Sequence, residues 1–326
     1  MAYNGIIVGL GQIGMEYDYH ASSADLITTH AHALDVHPGF DLVGGVDIDE
    51  NKKIRFSQKY KKPAYSKLSV ALQELKPDLT VISVPTEFHL QILEEIVNTH
   101  IPKIVIIEKP LSHSIIETER ILEISTLYNL PIAVNYYREY EPALRKVSNN
   151  ISEGLLGYPL KIILNYNKGL FNNASHFLNY IFNFSGEIKE LKIIQNKGTF
   201  NERDIELDVL IKCDKSEIYA LAYNNDSFYF NELEIVGPKG KLLLSKSGEL
   251  IEFWSVIDDP VFKGYRVLSK QQKEYRPNIK RYQFYVYENI INFLNGNNAL
   301  YCDVSSLCGI TQFIKLINEE INNEIL

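Results

Sequence analysis

The stretch that decides the fold is NGIIVGLGQIG, residues 4–14. It opens with a β-branched, apolar run of strand length and ends in a complete G-x-G-x-x-G motif. Four further apolar runs follow, separated by amphipathic segments such as HLQILEEIVNT: FDLVGGVD, DLTVISVP, KIVIIEKP and LPIAVNYY. Strands that alternate with helices form βαβ units, and continuously apolar strands are covered on both faces. The first third of the chain therefore predicts a doubly wound, buried parallel sheet of the Rossmann type.

The glycine motif gives this sheet a ligand. Gly9 permits a tight turn, Gly11 lets a pyrophosphate approach the backbone, and Gly14 lets the following helix pack close to the sheet. The N-terminal amides of that helix would then face the phosphates. Such glycines can also serve the backbone alone, but their place directly after a first strand favours dinucleotide binding. We expect Gln12 and Ile13, inside the turn, to contact the cofactor as well.

The pattern of predicted strands and helices changes after about residue 135. Strand-like runs then predominate, several of them joined by short turns, and two helical stretches close the chain: LKIILNYN, IELDVLIKC, EIYALAYN, NELEIVG and GKLLLSK are the clearest strands. Short Gly, Asn and Asp turns indicate antiparallel pairing. The sequence predicts an NAD(P)-binding domain over residues 1–135. Residues 136–326 are predicted to form an α+β domain with a large, mostly antiparallel open sheet for substrate binding and oligomer formation.

The composition favours a reduced, cytoplasmic, globular protein. The 326 residues are 45% apolar and 23% charged, and the net charge of −8 argues against nucleic acid, which requires a basic face. Three scattered cysteines do not make a disulfide framework or a zinc site. The N-terminus lacks the basic region of a signal peptide, and no window reaches the roughly 18 apolar residues of a membrane span. We expect no membrane and no nucleic-acid partner.

An acid at the end of the second strand bears on cofactor choice. Asp47 ends DLVGGVD, where a carboxylate accepts hydrogen bonds from a ribose diol and repels a 2′-phosphate. NAD is therefore favoured over NADP. Two alternatives stay open: Asp49 occupies this position instead, or Asp47 only caps a turn.

The first crossover is unusually long and rich in titratable groups. Its stretch EYDYHASSADLITT and the residues after it include Glu16, Asp18, His20, His30 and His32. His30 and His32 are two apart, so on a helix they point in different directions and do not share a metal ion. A polar loop near cofactor or substrate is the favoured interpretation, and no metal is expected.

Two polar clusters follow buried strands. SVPTEFH contributes Ser83, Pro85, Thr86 and His89, and EKP contributes Glu108 and Lys109. Ligands of an open parallel sheet lie beyond the carboxyl ends of its strands, so all six are predicted cofactor contacts. Desolvation and a nearby oxidised nicotinamide would lower the pKa of Lys109 and suit it to exchange a proton with a substrate hydroxyl.

Six motifs in this order and spacing resemble the Gfo/Idh/MocA dehydrogenases: the glycine motif, the acid after strand 2, VPTEFH, EKP, NYYREYEP and NNASHFLN. The resemblance covers essentially the whole chain, because NELEIVGPKGKLLL is also similar to a sheet segment of that family. The long crossover, GGVD and NNASH are most similar to members associated with bacterial surface glycans. The resemblance implies hydride transfer between a nicotinamide cofactor and a sugar hydroxyl or carbonyl, with nucleotide sugars as one possible substrate class.

The resemblance also implies site residues. The EKP lysine, which assists proton transfer, falls on Lys109, and the histidine of a D-x-G-x-H pattern falls on His176. Taken alone, His176 in an apolar helix is typical of a packed core residue. The aspartate of the pattern is Asn172 here and the glycine is Ala174, and an asparagine cannot carry a proton. Asn173, beside it, is predicted to contact substrate with Asn172.

A family asparagine and arginine near the substrate match Asn135 and Arg138. For Arg138 a surface salt bridge with Glu139 or Glu141 is the alternative, and two other cations, Lys168 and Arg145, could hold an anionic part of the substrate. Two further functions stay open. One is a non-catalytic NAD-binding sensor, as the family includes, and the other is reduction of a non-sugar carbonyl or imine. Family members pair their second sheets, so a homodimer or homotetramer is expected.

Overall fold

Six parallel strands make the first sheet, and the glycine motif follows one of its two central strands. The computed structural model describes residues 2–21, 25–201, 204–223, 228–270 and 273–325. Within these residues the sheet has the order β3-β2-β1-β4-β5-β6. Its strands are β1 Tyr3–Val8, β2 Phe40–Val46, β3 Ala64–Tyr65, β4 Leu79–Ile82, β5 Ile104–Ile107 and β6 Ile132–Val134. Strands β4, β5 and β6 are buried along their whole length, as the continuously apolar runs predicted.

The remaining strands form a second, mostly antiparallel sheet. Its order over the described ranges is β14-β13-β12-β11-β7-β10-β9-β8, with β15 paired to β13, and only β7 and β10 run parallel there. These strands are β7 Leu160–Tyr166, β8 Ile188–Asn201, β9 Asp204–Cys213, β10 Ser216–Ala222, β11 Asn231–Gly237, β12 Gly240–Ser245, β13 Leu250–Asp258, β14 Arg266–Leu268 and β15 Lys273–Tyr275. The predicted fold class, a Rossmann sheet plus an α+β part with a large open sheet, is confirmed.

The α-helices are α1 His30–Val36, α2 Glu50–Tyr60, α3 Leu68–Leu75, α4 His89–Thr99, α5 Ile115–Leu127, α6 Pro142–Ser152, α7 Ser175–Ser185, α8 Tyr282–Leu294 and α9 Cys308–Ile325. The chain divides into two compact units. The first comprises Met1–Tyr140 and Lys280–Leu307, and the second comprises Glu141–Ile279 and Cys308–Leu326.

This grouping differs from the predicted division at residue 135. The stretch 280–307, which was predicted to belong to the second domain, belongs to the first unit. The reason is that α8 packs on α1: the Phe284 ring centroid lies 4.8 Å from that of His37, and His30 Nδ1 lies 2.9 Å from Tyr287 Oη. Farther on, Cys302 O accepts a hydrogen bond from a backbone amide of β6 (2.9 Å). The stretch therefore completes the first unit.

In the second unit, helices cover one face of the sheet. Along β7 the buried side chains alternate with less buried ones, so that Leu160, Ile162 and Leu164 face the core. Helix α7 is buried at nearly every position and contacts both of its neighbours. Tyr180 Oη donates to Leu144 O of α6 (2.8 Å), and the Phe182 ring centroid lies 6.1 Å from that of Phe313 on α9.

Candidate functional site

The glycine turn after β1 has the geometry that its sequence predicted. Gly9 has φ +99°, in the left-handed region that favours glycine, and a Cβ there would lie 2.6 Å from Ser83 O. A Cβ on Gly14 would lie 2.1 Å from Gly9 O, so the turn itself requires both glycines. A Cβ on Gly11 would meet only Lys52 Nζ, at 4.0 Å. Since the turn does not require Gly11, its open face is where a ligand could approach the backbone.

The chain after this turn differs from the predicted helix. Gln12–Glu16 forms a single π-helical turn, with Gln12 exposed and Ile13 half-buried, and the first α-helix begins only at His30. Asp18 explains the delay, because its buried carboxylate accepts hydrogen bonds from the backbone amides of Thr28 (2.8 Å) and Thr29 (2.9 Å). These hydrogen bonds join the start of the long crossover to its end. Residues 22–24 of the crossover lie outside the described residues.

Asp47 connects the end of β2 to the glycine turn. Its Oδ2 accepts a hydrogen bond from Leu10 N (2.8 Å) and its Oδ1 accepts one from Asp49 N (2.9 Å). Asp49 instead caps α2, accepting from the backbone amides of Asn51 and Lys52. A carboxylate offers about four acceptor positions, so Asp47 retains capacity for a ligand beside the glycine turn.

The end of β4 lies against the same turn. Ser83 Oγ donates to Gly9 O (2.8 Å), while Pro85 is exposed and Thr86 is half-buried. His89 is buried, and its two ring nitrogens lie 3.0 and 3.1 Å from backbone carbonyls of Val84 and Leu111. Desolvation holds the pKa of His89 below its ordinary value.

His89 has a structural role in this unit. Its neutral ring bridges the segment after β4 and the segment after β5 through the carbonyls of Val84 and Leu111. The polar side chain that sequence analysis placed at the cofactor therefore holds two strand ends together. Pro85 and Thr86, which are more exposed, are the residues of this segment that are open to a ligand.

Glu108 lies in a buried polar network at the end of β5. Its Oε1 lies 2.9 Å from His30 Nε2 and accepts a hydrogen bond from Asn135 Nδ2 (2.5 Å). Its Oε2 accepts from Lys109 N (3.2 Å). Burial by itself would raise the pKa of Glu108, but the hydrogen bonds from His30 and Asn135 and the charge of His30 outweigh it and lower the pKa. Glu108 is thus held as a carboxylate next to Lys109, whose side chain is half-buried.

Helix α8 completes the network. His30 Nδ1 lies 2.9 Å from Tyr287 Oη and 2.7 Å from Gln283 Nε2, and all three side chains are fully buried. Asn135 Nδ2 also donates to Gln283 Oε1 (3.2 Å). Asn135 Oδ1 is buried with no hydrogen-bond partner among the described residues. Of the side chain predicted to meet substrate, the nitrogen is thus engaged with protein partners, and the oxygen is the atom that could accept a further donor.

Arg138 is not a surface residue. It lies in the short 3₁₀ turn Tyr137–Glu139, is 2% exposed, and its guanidinium carbon is 4.8 Å from the centroid of the Tyr137 ring. This burial does not fit the surface salt bridge considered as the alternative.

In the second unit, two buried carboxylates hold the turn that carries the asparagines. This turn, Leu170–Ala174, is of the π type and runs directly into α7. The Asp204 carboxylate accepts a hydrogen bond from Asn172 N (2.7 Å), and the Glu206 carboxylate accepts one from Lys168 N (2.7 Å). Neither acid could be predicted from the sequence, because both lie more than 30 residues away on β9.

The two asparagines of the turn have different surroundings. Asn172 is exposed, and its Nδ2 donates to Lys168 O (3.1 Å). Asn173 is buried: its Nδ2 donates to Asn167 O (2.7 Å) and its Oδ1 accepts from Tyr229 Oη (2.9 Å). Asn172 is therefore the more accessible of the two side chains, and Asn173 fixes the turn.

His176 is the second residue of α7 and is 6% exposed. Lys168, two residues after β7, and Arg145, on α6, are half-buried cations of the same unit. Lys109, Asn135 and Arg138 belong to the first unit, whereas His176, Asn172 and Asn173 belong to the second.

A comparison with protein families identifies the first unit. The family described as an oxidoreductase family with an NAD-binding Rossmann fold, Gfo/Idh/MocA, matches residues 4–136. The N-terminal domain belongs to the Gfo/Idh/MocA oxidoreductase family. The family predicted from the motifs is thereby confirmed for this part of the chain.

One curated relative and two solved structures are representative of the similar proteins. The D-xylose 1-dehydrogenase (NADP(+)) of Haloarcula marismortui is 30% identical over 83 residues, which is 26% of this chain and 22% of the relative. The WlbA dehydrogenase of Bordetella pertussis, in complex with NADH and UDP-GlcNAcA, has a TM-score of 0.76 at 15% identity, covering 99% of this chain and 96% of that one. An NAD binding oxidoreductase of Klebsiella pneumoniae has a TM-score of 0.78 at 14% identity, covering 99% and 98%. At such identities the two structures show a shared fold.

The residues at the edge of the first sheet fit a dinucleotide. Gly11 has open space beside it, Asp47 has spare acceptor positions next to the turn, and Thr86 is partly accessible. In the described ranges no group of three or more His, Cys, Asp or Glu side chains is arranged to hold a metal ion. No helix of the described residues is long and apolar enough to cross a membrane.

Proposed function

We propose that the chain is an NAD-dependent oxidoreductase that acts on a hydroxyl or carbonyl group of a sugar or sugar derivative. The observation that carries this proposal is the order β2-β1-β4-β5 of parallel neighbours. It brings Asp47, the glycine turn, Ser83 and Lys109 to one edge of the first sheet, at the carboxyl ends of the strands. Ligands of such sheets bind beyond that edge.

The proposed chemistry divides between cofactor and protein. When bound, the nicotinamide supplies the site that accepts or donates a hydride. Gly11 admits the pyrophosphate to the backbone, Asp47 accepts hydrogen bonds from the ribose hydroxyls, and Ser83, Pro85 and Thr86 border the cofactor. Lys109 Nζ takes the proton from the substrate hydroxyl in oxidation, or returns it in reduction. His176 assists with this proton, and Asn172 and Asn135 bind the substrate's hydroxyl groups, with Arg138 among the residues near it.

The choice of NAD over NADP rests on Asp47. Its carboxylate would repel a 2′-phosphate, although Lys52 Nζ lies 3.8 Å from Asp47 Oδ2 and offsets part of that charge. The similar proteins do not agree on the cofactor, because WlbA is in complex with NADH and the xylose dehydrogenase is NADP(+)-linked.

An activated sugar such as a nucleotide sugar is the substrate class we favour, because WlbA, with the same fold, is in complex with UDP-GlcNAcA. We further propose a cytoplasmic location and a homodimer or homotetramer formed through the second sheet. The face of that sheet opposite α7 presents half-buried apolar side chains such as Ile163, Leu210 and Leu221. A monomer in light scattering at micromolar concentration would exclude this assembly.

Two measurements test the proposal. NADH at about 100 times its Kd should stabilise the protein by roughly 2.7 kcal/mol, seen as a rise of a few degrees in Tm that exceeds the rise with NADPH. Lys109→Ala should then lower turnover of an accepted sugar substrate by about 10². Lys103→Ala is the matched control, since Lys103 precedes β5, at its other end, and pairs with Asp78. Equal activity in both variants would refute the role of Lys109.

A second function remains a candidate because of one observation. Asn172 stands where the family pattern has an acid, and its amide cannot exchange a proton. A non-catalytic NAD-binding sensor would bind NADH, yet show no hydride transfer with sugars, sugar phosphates, nucleotide sugars, or non-sugar carbonyls and imines. Transfer to the last class alone would instead identify a non-sugar reductase.

A further inference from the structure

Three large aromatic side chains lie exposed together at one edge of the second sheet. Tyr223, Phe228 and Tyr229 are 52%, 55% and 46% exposed, and with Phe230 they form what we call the aromatic patch. The Phe230 ring makes edge contacts with Tyr223 (centroids 5.4 Å apart) and Phe228 (5.9 Å). Single exposed apolar side chains are common on a protein surface, whereas a contiguous cluster of exposed aromatic rings is typical of a binding site.

The aromatic patch is fixed to the turn that carries the candidate substrate residues. Asn167, fully buried after β7, donates through Nδ2 to Phe228 O (2.6 Å) and accepts at Oδ1 from Phe230 N (3.0 Å). Tyr229 Oη donates to Asn173 Oδ1 (2.9 Å). The buried amide side chains of Asn167 and Asn173 therefore hold residues 228–230 of the patch against the asparagine turn.

Sheet topology explains why the patch and the turn meet. Strands β7 and β10 run parallel as neighbours, so the segments that follow both of them leave the same edge of the sheet. The segment after β7 carries Asn167 and Asn172, and the segment after β10 begins with Tyr223. The exposed rings thus lie at the edge where α7, with His176, also begins.

The area of the patch favours a small ligand over a protein partner. Aromatic side chains bury about 150–250 Å² each when covered, so three half-exposed rings offer roughly 300 Å². A stable protein interface buries at least about 1,000 Å². A flat ring stacked on one or two of these side chains would match the area that is available, and stacking tolerates any heteroaromatic base.

We infer that the aromatic patch is a stacking subsite for a flat heteroaromatic ring of the substrate, such as the base of a nucleotide-activated sugar. This inference rests on the proposed function and narrows its substrate class. Asn172 and His176 would then meet the sugar, while the patch holds the base.

The test compares ligands with and without a base on the full chain saturated with NADH. Calorimetric titration with UDP-glucose and with glucose 1-phosphate gives two affinities for each variant. Tyr223→Ala and Phe228→Ala should weaken UDP-glucose binding by roughly 5- to 100-fold and leave glucose 1-phosphate unchanged. Phe228→Tyr, which keeps a ring, should retain the affinity. Phe262→Ala removes a 65% exposed ring from the segment between β13 and β14 and is the matched control.

Three results would overturn the inference. They are unchanged UDP-glucose affinity in both alanine variants, an equal loss for glucose 1-phosphate, and no detectable UDP-glucose binding by the unmodified protein. A change of oligomeric state in Phe228→Ala would show that a second copy covers the patch, and it would also refute a substrate subsite. Failure of the proposed function is read separately, from NADH binding and hydride transfer, which the patch variants leave measurable.

Discussion

Removal of His30 should destabilise the protein strongly, because it leaves the buried carboxylate of Glu108 without its partner. His30 is fully buried, its Nε2 lies 2.9 Å from Glu108 Oε1, and Glu108 is itself 7% exposed. His30→Ala leaves this carboxylate without its main partner, and removal of one member of a buried pair costs about 3–5 kcal/mol. His30→Gln, with an amide donor of similar reach, should recover a part of that loss.

Urea unfolding followed by circular dichroism measures these costs, and a matched control separates charge from packing. His37, the residue directly after the same helix, is also buried and lies 3.0 Å from Glu288, but the Glu288 side chain is 46% exposed. His37→Ala removes a similar ring and leaves a carboxylate that water can solvate. Its cost should therefore be smaller than that of His30→Ala by about 2 kcal/mol.

The difference in unfolding free energy between the wild type and His30→Ala should depend on pH, and the sign of this dependence can be predicted. In the wild type the pKa of Glu108 is lower in the folded than in the unfolded protein. The stability that Glu108 contributes is therefore complete at a pH above the unfolded pKa and is lost only as the pH falls through the folded pKa. Without His30 the two largest influences that lower this pKa are lost, and we expect burial to raise the pKa above the unfolded value. The native carboxyl then binds a proton more readily than the unfolded one. The deficit of His30→Ala should accordingly narrow as the pH is lowered from 7 towards 5.

A double-mutant cycle supplies the result that would refute this reasoning. Glu108→Gln removes the charge, so His30→Ala should cost markedly less in that background than in the wild type, by about 2 kcal/mol. If the two costs are equal, the carboxylate does not depend on His30 and the explanation of the network is wrong.

Three further predictions follow from the same unit. Asp47→Ser should raise NADPH affinity relative to NADH by about tenfold, equivalent to about 1.4 kcal/mol, and an unchanged ratio in fluorescence titrations would refute its role in cofactor choice. Gly14→Ala should lower the Tm of the free protein, because its Cβ would lie 2.1 Å from Gly9 O. Gly11→Ala should keep that Tm and lose the NADH-induced rise; equal behaviour of the two variants would contradict the turn geometry. Burial raises the pKa of Asp18, but hydrogen bonds from His32, Thr29 and Thr28 outweigh it, so stability should fall as the pH drops below about 4, and Asp18→Asn should flatten this slope.

The sequence was most informative where a local pattern has one structural solution. The glycine motif fixed the turn after β1 because Gly9 needs a left-handed φ and Gly14 needs contact with Gly9 O. The position of Asp47 beside the glycine turn could be predicted because the end of the second strand is a defined place in such a sheet. Apolar runs identified the long strands of both sheets but not the two- and three-residue strands β3, β14 and β15. They also could not show that β7 and β10 pair in parallel, which depends on register between distant segments.

The features that could not be predicted from the sequence depend on contacts between residues far apart in the chain. His30 lies 78 positions from Glu108 and 257 from Tyr287, so its place in a long polar crossover suggested a loop near a ligand instead of a buried partner. The apolar face of α8 fitted either domain, and only the His30, His37 and Phe40 side chains that it covers decide for the first.

The same contacts connect the EKP segment to helix α8. Glu108 accepts hydrogen bonds from Lys109 N and Asn135 Nδ2, and His30 links that carboxylate to Tyr287 on α8. A buried network of this kind specifies one arrangement, because each member left unpaired would incur a desolvation cost. The segment 280–307 is therefore part of the structure that sets the position of Lys109. A truncation before residue 280 would expose Glu108 and His30 even though every residue of the matched family domain, 4–136, remained.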